Sequence, residues 1–231
     1  MDTTFTVHPS SIIEGEVKIA HGVKIGPFSH IIGPVQIGEH TSIGSHCYIQ
    51  GPVEIGKRNQ IFPHCVFGTD GEHKTAESSG MIRIGDDNTI RELTVIQRGT
   101  GDRDTEIKDF CYIMDHAHIA HDVLLDNEVT ISPNVVLGGH TVVLHNATIG
   151  IGVVTHQFST IGAYAMIGMG SVVTKDAPPF SLVFGSPAKF KKYNEAQISK
   201  LGITDLMESE IFKLDNDIFI EYSRRDILSL D

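Results

Sequence analysis

Residues 118–150 read HIAHDVLLDNEVTISPNVVLGGHTVVLHNATIG, and in them an aliphatic side chain returns at every sixth position: Ile119, Leu125, Ile131, Leu137, Val143, Ile149. A period of six is too long for one face of an α-helix, which recurs at about 3.6 residues, and too short for a hairpin meander, whose turns come about every 8–12. It fits a short strand followed by a corner, and three such units close a triangular coil of about 18 residues. The same period runs outward in both directions. Upstream it starts at Val7 and passes through Ile13, Ile19, Ile25, Ile31, Ile37, Ile43, Ile49, Ile55 and Ile61 to Phe67; it restarts at Ile84, Ile90 and Ile96, and again at Ile107 and Ile113. Downstream it reaches Val173, and Thr155 is the one residue of this last run that breaks the aliphatic rule.

A second column, four residues after the first, is small or β-branched: Val123, Val129, Val135, Thr141 and Ala147 in the quoted stretch, with Cys47, Cys65 and Cys111 in the same column elsewhere. Such side chains pack near the corners of a narrow prism, where larger ones would overfill it. The cysteines are therefore read as packing residues rather than as redox or metal groups. Their odd number and the lack of CxxC spacing argue against a disulfide framework. Glycines directly after the aliphatic residue, as at Ile25-Gly26, Ile37-Gly38, Ile161-Gly162 and Ile167-Gly168, are expected to serve corners with unusual backbone angles.

With 231 residues, 40% hydrophobic and 20% charged, the chain has enough apolar material for one large domain and at most a small appendage. Its formal net charge of −11 argues against a general nucleic-acid binder, which needs clustered Lys and Arg to neutralise phosphates. No basic-then-apolar leader and no run of about 18 apolar residues is present. A cytoplasmic protein without an integral membrane segment is expected.

Two polar stretches break the phase, GTDGEHKTAESSGMIR (68–83) and QRGTGDRDTE (97–106). They are expected to be external loops on a rigid scaffold, where substrate contacts concentrate. After Val173 the repeat ends in TKDAPPFSLVFGSPAKF, whose prolines suit an exit from the coil. From about Asn194 onward two or three helices are expected, with Leu206, Met207, Ile211, Leu214 and Ile218 at helical spacing and Thr204 as an N-cap. The expected organisation is a mainly β prism over residues 1–180 and a small C-terminal helical region over 181–231.

Parallel coils stack at strand spacing, about 4.8 Å, so residues one coil apart are vertical neighbours. One coil on from His121 is Gly139, with His140 beside it and His156 close to register on the next coil. Because Ile119 points inward, His121 lies on the outer face, and these four residues share one exterior strip. A neutral imidazole can take a proton from a hydroxyl or amine as that group attacks a carbonyl, and a carboxylate such as Asp122 can favour the imidazolium that results. A backbone N–H near Gly139 can hold an oxyanion, since glycine permits close approach. His116, His118 and His121, spaced HxHxxH, also have the look of a zinc set, but they occupy different phases of the cycle and need not converge. An acyl-transfer site, a zinc hydratase and a non-catalytic scaffold all stay open on these grounds.

The repeat resembles that of the hexapeptide acyltransferases, left-handed parallel β-helices that usually assemble as trimers; the hand comes from the resemblance, because periodicity does not reveal it. Over roughly residues 5–180, VHPSSII, IGPFSHIIGPVQIG, IGDDNTIRELTVIQRGT, AHIAHDV, LGGHTVV, VVTHQFSTIGAYAMIGMGSVV and DAPPFSLV follow the order found in the UDP-N-acetylglucosamine acyltransferases of lipid A biosynthesis. This resemblance implies transfer of a 3-hydroxyacyl group from acyl carrier protein to the sugar 3-hydroxyl, in sites between the subunits of a homotrimer, with no metal and no cofactor. It makes His121 the general base, Asp122 its partner and the Gly139 amide the oxyanion donor. It also implies that Lys74, His118, His140, His156, Gln157, Asn194 and Lys200 bind the sugar nucleotide or the acyl donor. Met169 falls where the family sets acyl-chain length, and its bulk implies a shorter chain than glycine would admit. Lys189, Lys191 and Lys192 are basic residues able to meet an acidic carrier protein.

The chain departs from the family pattern in places. Gln97 stands where histidine is typical, GSPAK (185–189) is more like a segment of sugar O- and N-acetyltransferases, and Ala196 and Leu201 replace an acid and an arginine. A second expectation is therefore an N-acyltransferase acting on a UDP- or dTDP-linked amino sugar, with acyl carrier protein or coenzyme A as donor.

Overall fold

A computed structural model describes residues 4–75, 78–101 and 103–202. Short strands alternate with tight corners, and successive strands join three sheets of eleven, nine and eight strands in rotation, so each coil adds one strand to each face of a prism. Register follows the repeat: His118–Ile119 pairs in parallel with Val136–Leu137, and Val136–Leu137 with Val154–Thr155. The architecture is the left-handed parallel β-helix expected from the sequence.

The aliphatic column is the core. Ile31, Ile49, Phe67, Ile96, Ile119 and Leu137 are fully buried, and the small column beside them, including Val123, Val129 and Cys65, is equally closed to solvent. Burying such a side chain contributes about 1.5–3 kcal/mol, and a coil gains it only when neighbours stack above and below. The three cysteines are free and buried. Burial pushes the Cys111 thiol up to about 12, which keeps it protonated and inert at neutral pH.

Corner geometry differs from the sequence expectation. In most corners the residue with positive φ is the second, and it is seldom glycine: φ is 57° at His46, 60° at Asp122, 59° at His140 and 63° at Phe158. Left-handed backbone costs a side-chain-bearing residue about 1–2 kcal/mol. Main-chain hydrogen bonds from most of these corners to the one a coil before offset it, as when His140 N donates to His121 O at 3.1 Å and Phe158 N to Gly139 O at 2.9 Å. The glycines after the aliphatic residues answer a different need. A Cβ at Gly26 would stand 2.8 Å from the Gly44 carbonyl carbon, and one at Gly38 would stand 2.6 Å from that of Gly56. Close stacking, not an unusual angle, excludes larger residues there.

Both insertions are external but shorter than 68–83 and 97–106. Gly68 and Thr69 belong to the strand Val66–Thr69, Gln97 ends Val95–Gln97, and the prism resumes at Ile82–Ile84 and Thr105–Ile107. The loops are thus 70–81 and 98–104. Pairing passes straight across them, Val66 with Val95 and Val95 with His118.

The prism also continues beyond Val173. Ala177 bridges to Ile161, Ser181–Gly185 pairs in parallel with Met166–Ile167, and Ala188–Tyr193 turns back antiparallel upon it. Residues 181–193, grouped on sequence with the helical region, are therefore largely strand, and Val183 still buries its side chain. The prolines interrupt the period of six without ending the sheet. Exposed Lys189, Lys191 and Lys192 line the terminal strand, where charge discourages further edge pairing. A single described helix follows, Glu195–Leu201, capped by Asn194 and closed by Gly202 at φ 67°. The helical positions expected at Thr204, Leu206, Met207, Ile211, Leu214 and Ile218 lie outside the described residues. Among those described, no helix is long and apolar enough to cross a membrane.

Asp126 joins three coils: Lys108 Nζ is 3.3 Å and His145 Nδ1 3.5 Å from its carboxylate, and Asn127 N donates to it at 2.8 Å. Burial pushes its pKa up, but His145, the Asn127 amide and Lys108 outweigh that and hold it at about 2. A folded-state value below the ordinary ~3.9 means stabilisation that is complete above about pH 4 and is lost as pH falls towards 2. Asp126→Asn is expected to be less stable than the parent at pH 6, by on the order of 2 kcal/mol, with the gap narrowing between pH 4 and 2.5. Denaturant unfolding across that range measures it.

Candidate active site

Both loops and the histidine strip emerge at one edge of the prism. Loop 70–81 follows the strand Val66–Thr69 and loop 98–104 follows Val95–Gln97. The corners His121-Asp122, Gly139-His140 and Gln157-Phe158 follow His118–Ile119, Val136–Leu137 and Val154–Thr155 in the same sheet. Five successive levels of one edge therefore carry two loops and three corners in a vertical row.

His121 leaves the prism outward, as its phase requires, yet is only 6% exposed. Loop 70–81 folds over it: a Cβ on Gly71 would lie 2.8 Å from His121 Cβ, and the His73 ring meets the His121 ring edge-on with centroids 5.8 Å apart. Against its other side lies Gly139, where a Cβ would stand 2.7 Å from His121 Nε2 and 2.5 Å from Cε1. Only glycine leaves room for the imidazole there. The Gly139 carbonyl accepts from Phe158 N, while its N–H donates to no acceptor among the described residues.

His121 Nδ1 lies 2.6 Å from Asp122 Oδ2. Asp122 is fully buried and held by loop 98–104, with the Thr100 amide donating to Oδ1 at 3.0 Å and the Thr100 hydroxyl to Oδ2 at 2.7 Å. Its own amide donates to Thr105 Oγ1, its carbonyl accepts from Arg103 Nε, and His140 Nε2 stands 3.4 Å from Oδ2. Burial pushes the Asp122 carboxyl up, but hydrogen bonds from His121 and Thr100 and the charge of His140 outweigh it and hold the pKa below the ordinary value. The carboxylate is therefore ionised at neutral pH. An ionised acceptor at Nδ1 keeps the imidazole proton on that nitrogen and leaves Nε2, next to Gly139, as the basic one.

His121, Asp122 and His140 also bring three possible metal-ligand atoms within 4.8 Å of one another. The Asp122 oxygens are already engaged by Thr100 and the His121 ring, with the His140 ring beside them, an arrangement suited to orienting a proton-accepting imidazole. The HxHxxH set does not form, because His116 sits at a different corner, exposed, with its Nδ1 3.0 Å from Asp115.

A groove of about 390 Å³ runs past Nε2, lined by His118, His121, Gly139, His156 and Gln157, with Glu72 and Gln97 on one flank. Gln97 is buried and its Oε1 accepts from Glu72 N at 3.3 Å, which ties the start of one loop to the strand leading into the other. His140 stands behind the groove, stacked on Phe158 with centroids 4.4 Å apart and edge-on to His121. Lys74 is exposed on loop 70–81, next to His73. Met169, 76% exposed, is on a different edge, at the corner before Val172–Val173. Asn194 caps the helix and donates from Nδ2 to Tyr164 O, and Lys200 lies exposed in the last helical turn. Within one chain, then, the groove unites five of the residues singled out on sequence, backed by Asp122 and His140, and leaves Met169, Asn194 and Lys200 elsewhere. Thr100, Arg103, Glu72 and His73 were not singled out, because loop residues lie outside the repeat and have no register from which to infer neighbours. A larger groove of about 720 Å³ follows the third face past Lys18, Glu54, Arg83 and Lys108. Its Arg83 pairs across the strands with Glu54 and with Asp104, and no imidazole or thiol lines it.

The bacterial transferase hexapeptide family (six repeats) matches residues 16–51 and 104–139. The acyl-(acyl-carrier-protein) UDP-N-acetylglucosamine O-acyltransferase of Alkalilimnicola ehrlichii is 46% identical over 200 residues, covering 85% of this chain and 78% of the relative. That of Pseudomonas putida is 42% identical over 203 residues, 87% of this chain and 79% of the relative. Among solved structures, the Francisella novicida UDP-N-acetylglucosamine acyltransferase superposes with a TM-score of 0.84 at 31% identity, covering 89% of this chain and 76% of that one. The Campylobacter jejuni UDP-N-acetylglucosamine acyltransferase gives a TM-score of 0.80 at 28% identity, with 94% and 82% covered. A relative of this identity extending over most of the prism, loops and histidine edge included, makes the chain a member of the UDP-N-acetylglucosamine acyltransferase family and an acyltransferase.

Proposed function

We propose that the chain moves a 3-hydroxyacyl group from acyl carrier protein to the 3-hydroxyl of UDP-N-acetylglucosamine, the first step of lipid A biosynthesis, with His121 as general base. The observation that carries this is the basic Nε2 of His121 lying against Gly139, whose N–H donates to no acceptor among the described residues, on the wall of an open groove. In the reaction Nε2 takes the hydroxyl proton as the sugar oxygen bonds to the thioester carbonyl carbon. The Gly139 N–H donates to the carbonyl oxygen as it gains negative charge, and Asp122 balances the imidazolium. Collapse of the tetrahedral intermediate breaks the C–S bond, and the imidazolium returns its proton to the departing thiolate. A C–O bond has replaced a C–S bond, and no cofactor enters the balance.

His118, His156 and Gln157 line the groove and serve the sugar nucleotide or acyl donor, with His140 buttressing them and Lys74 reaching in from the loop. Met169, Asn194 and Lys200 stand away from this groove in a single chain. Their roles in acyl length and in substrate binding then require a second copy, which favours a homotrimer with sites between subunits. Lys189, Lys191 and Lys192 offer positive charge to the acidic carrier protein, and the reaction is placed in the cytoplasm.

His121→Ala is expected to fold, with a lowered melting temperature because buried Asp122 loses a partner, and to lower kcat at least about 100-fold. Gly139→Ala, whose methyl meets the imidazole, is expected to fold and to lose activity comparably. Assays pairing UDP-N-acetylglucosamine and its 3-amino analogue with thioesters of graded length check the rest. Acylation of the amino analogue alone overturns the O-acyl assignment. Met169→Gly is expected to move the preference towards longer chains.

A further inference from the structure

Thr155 is the anomaly of the aliphatic column, a hydroxyl where neighbouring coils carry Leu137 and Val173. It remains inside, 4% exposed, beside fully buried Thr141. A buried hydroxyl without partners is destabilising, yet both are satisfied through the N–H and carbonyl of one residue, Gly138. Gly138 N donates to Thr155 Oγ1 at 3.0 Å, Thr141 Oγ1 donates to Gly138 O at 2.6 Å, and the two hydroxyls lie 2.9 Å apart. With the Gly138 carbonyl taking the Thr141 proton, Thr155 must donate to Thr141, so each hydroxyl gives once and receives once.

This circuit replaces a regular ladder bond. At neighbouring levels the residue after the aliphatic one donates to a main-chain carbonyl a coil away: Ala120 N to Leu137 O, Leu144 N to Ile161 O, His156 N to Val173 O. Gly138 N instead turns to the Thr155 side chain. The Gly138 carbonyl and the Gly139 N–H are opposite ends of one planar trans peptide and point in opposite directions. Holding that carbonyl inward, against Thr141, aims the N–H outward beside His121. Two consecutive glycines have no side chains of their own to restrict this peptide, and a bond to the carbonyl also strengthens the N–H as a donor.

We infer that Thr155 and Thr141 are positioning residues that orient the Gly139 N–H for oxyanion binding. The inference rests on the proposed role of that amide and adds the groups that aim it. Removing an oxyanion donor outright costs about 10²–10³ in kcat; misdirecting one costs less. In the full-length protein, Thr155→Val is expected to lower kcat about tenfold, with KM for both substrates and the pH dependence of kcat unchanged, because no titrating group is touched. Thr155→Ser, which keeps the hydroxyl, restores the rate. Thr141→Val, a residue the small column accepts at Val123, Val135 and Val153, is expected to behave like Thr155→Val and decides the matter should that variant not fold. Full kcat in the valine variants, or a loss that serine does not recover, overturns the inference. His121→Ala is the reference: if it is inactive while both valine variants keep full kcat, only the threonine assignment falls, whereas turnover retained in His121→Ala overturns both.

Discussion

The main-chain hydrogen bond between stacked corners is the constraint on which everything else in this molecule depends. Most corners hold their second residue in a left-handed conformation that side chains resist, and the amide so presented reaches the carbonyl of the corner one coil before, as His140 N does to His121 O. Repeated up three edges, this contact keeps every coil in the same register. Register is what turns a sequence interval into a spatial neighbour: it sets Ile119 beside Leu137 in the core and His121 beside Gly139 outside it. The same bond thus packs the interior and assembles the candidate catalytic edge.

A scaffold held in this way tolerates insertions without losing its pairing. Loops 70–81 and 98–104 leave and rejoin the prism at one edge, and the strands around them stay paired, with a register shift between Phe67 and Thr69 where the first loop departs. Each loop adds a distinct physical element to the imidazole below. One covers it, through Gly71 and His73, and removes it from bulk water; the other grips Asp122 through Thr100 and Arg103. A histidine that would be a solvated surface residue on a bare prism becomes buried, oriented and paired with an ionised carboxylate.

The polar interruption of the core belongs to the same edge. Thr155 and Thr141 sit directly behind Gly138-Gly139, so the aliphatic position that has become a hydroxyl lies on the coil stacked next to the one that carries the candidate oxyanion amide. Inside and outside of the prism are a single wall thick here, and a change on the inner surface alters the direction of a peptide on the outer one.

Much was legible in the chain itself. The period of six determined the prism, the inward column, the packing of Cys47, Cys65 and Cys111, and the vertical proximity of His121 and Gly139, because each follows from local periodicity and strand spacing alone. Other features depended on contacts that no period encodes. Loop residues have no fixed phase, so the Thr100–Asp122 clamp and the cover over His121 became visible only once the loops were folded back on the edge. Strands beyond Val173 were hidden because Pro178 and Pro179 shift the phase while the sheet continues to gain hydrogen bonds. The glycines at corners were recognisable as special, but their cause, backbone packed within 3 Å of where a Cβ would stand, is a property of two coils together. Sequence determined how the chain winds, since winding is a sum of short-range preferences; tertiary structure decided which wound-up groups touch through the loops, since those distances are set by segments remote from one another along the chain.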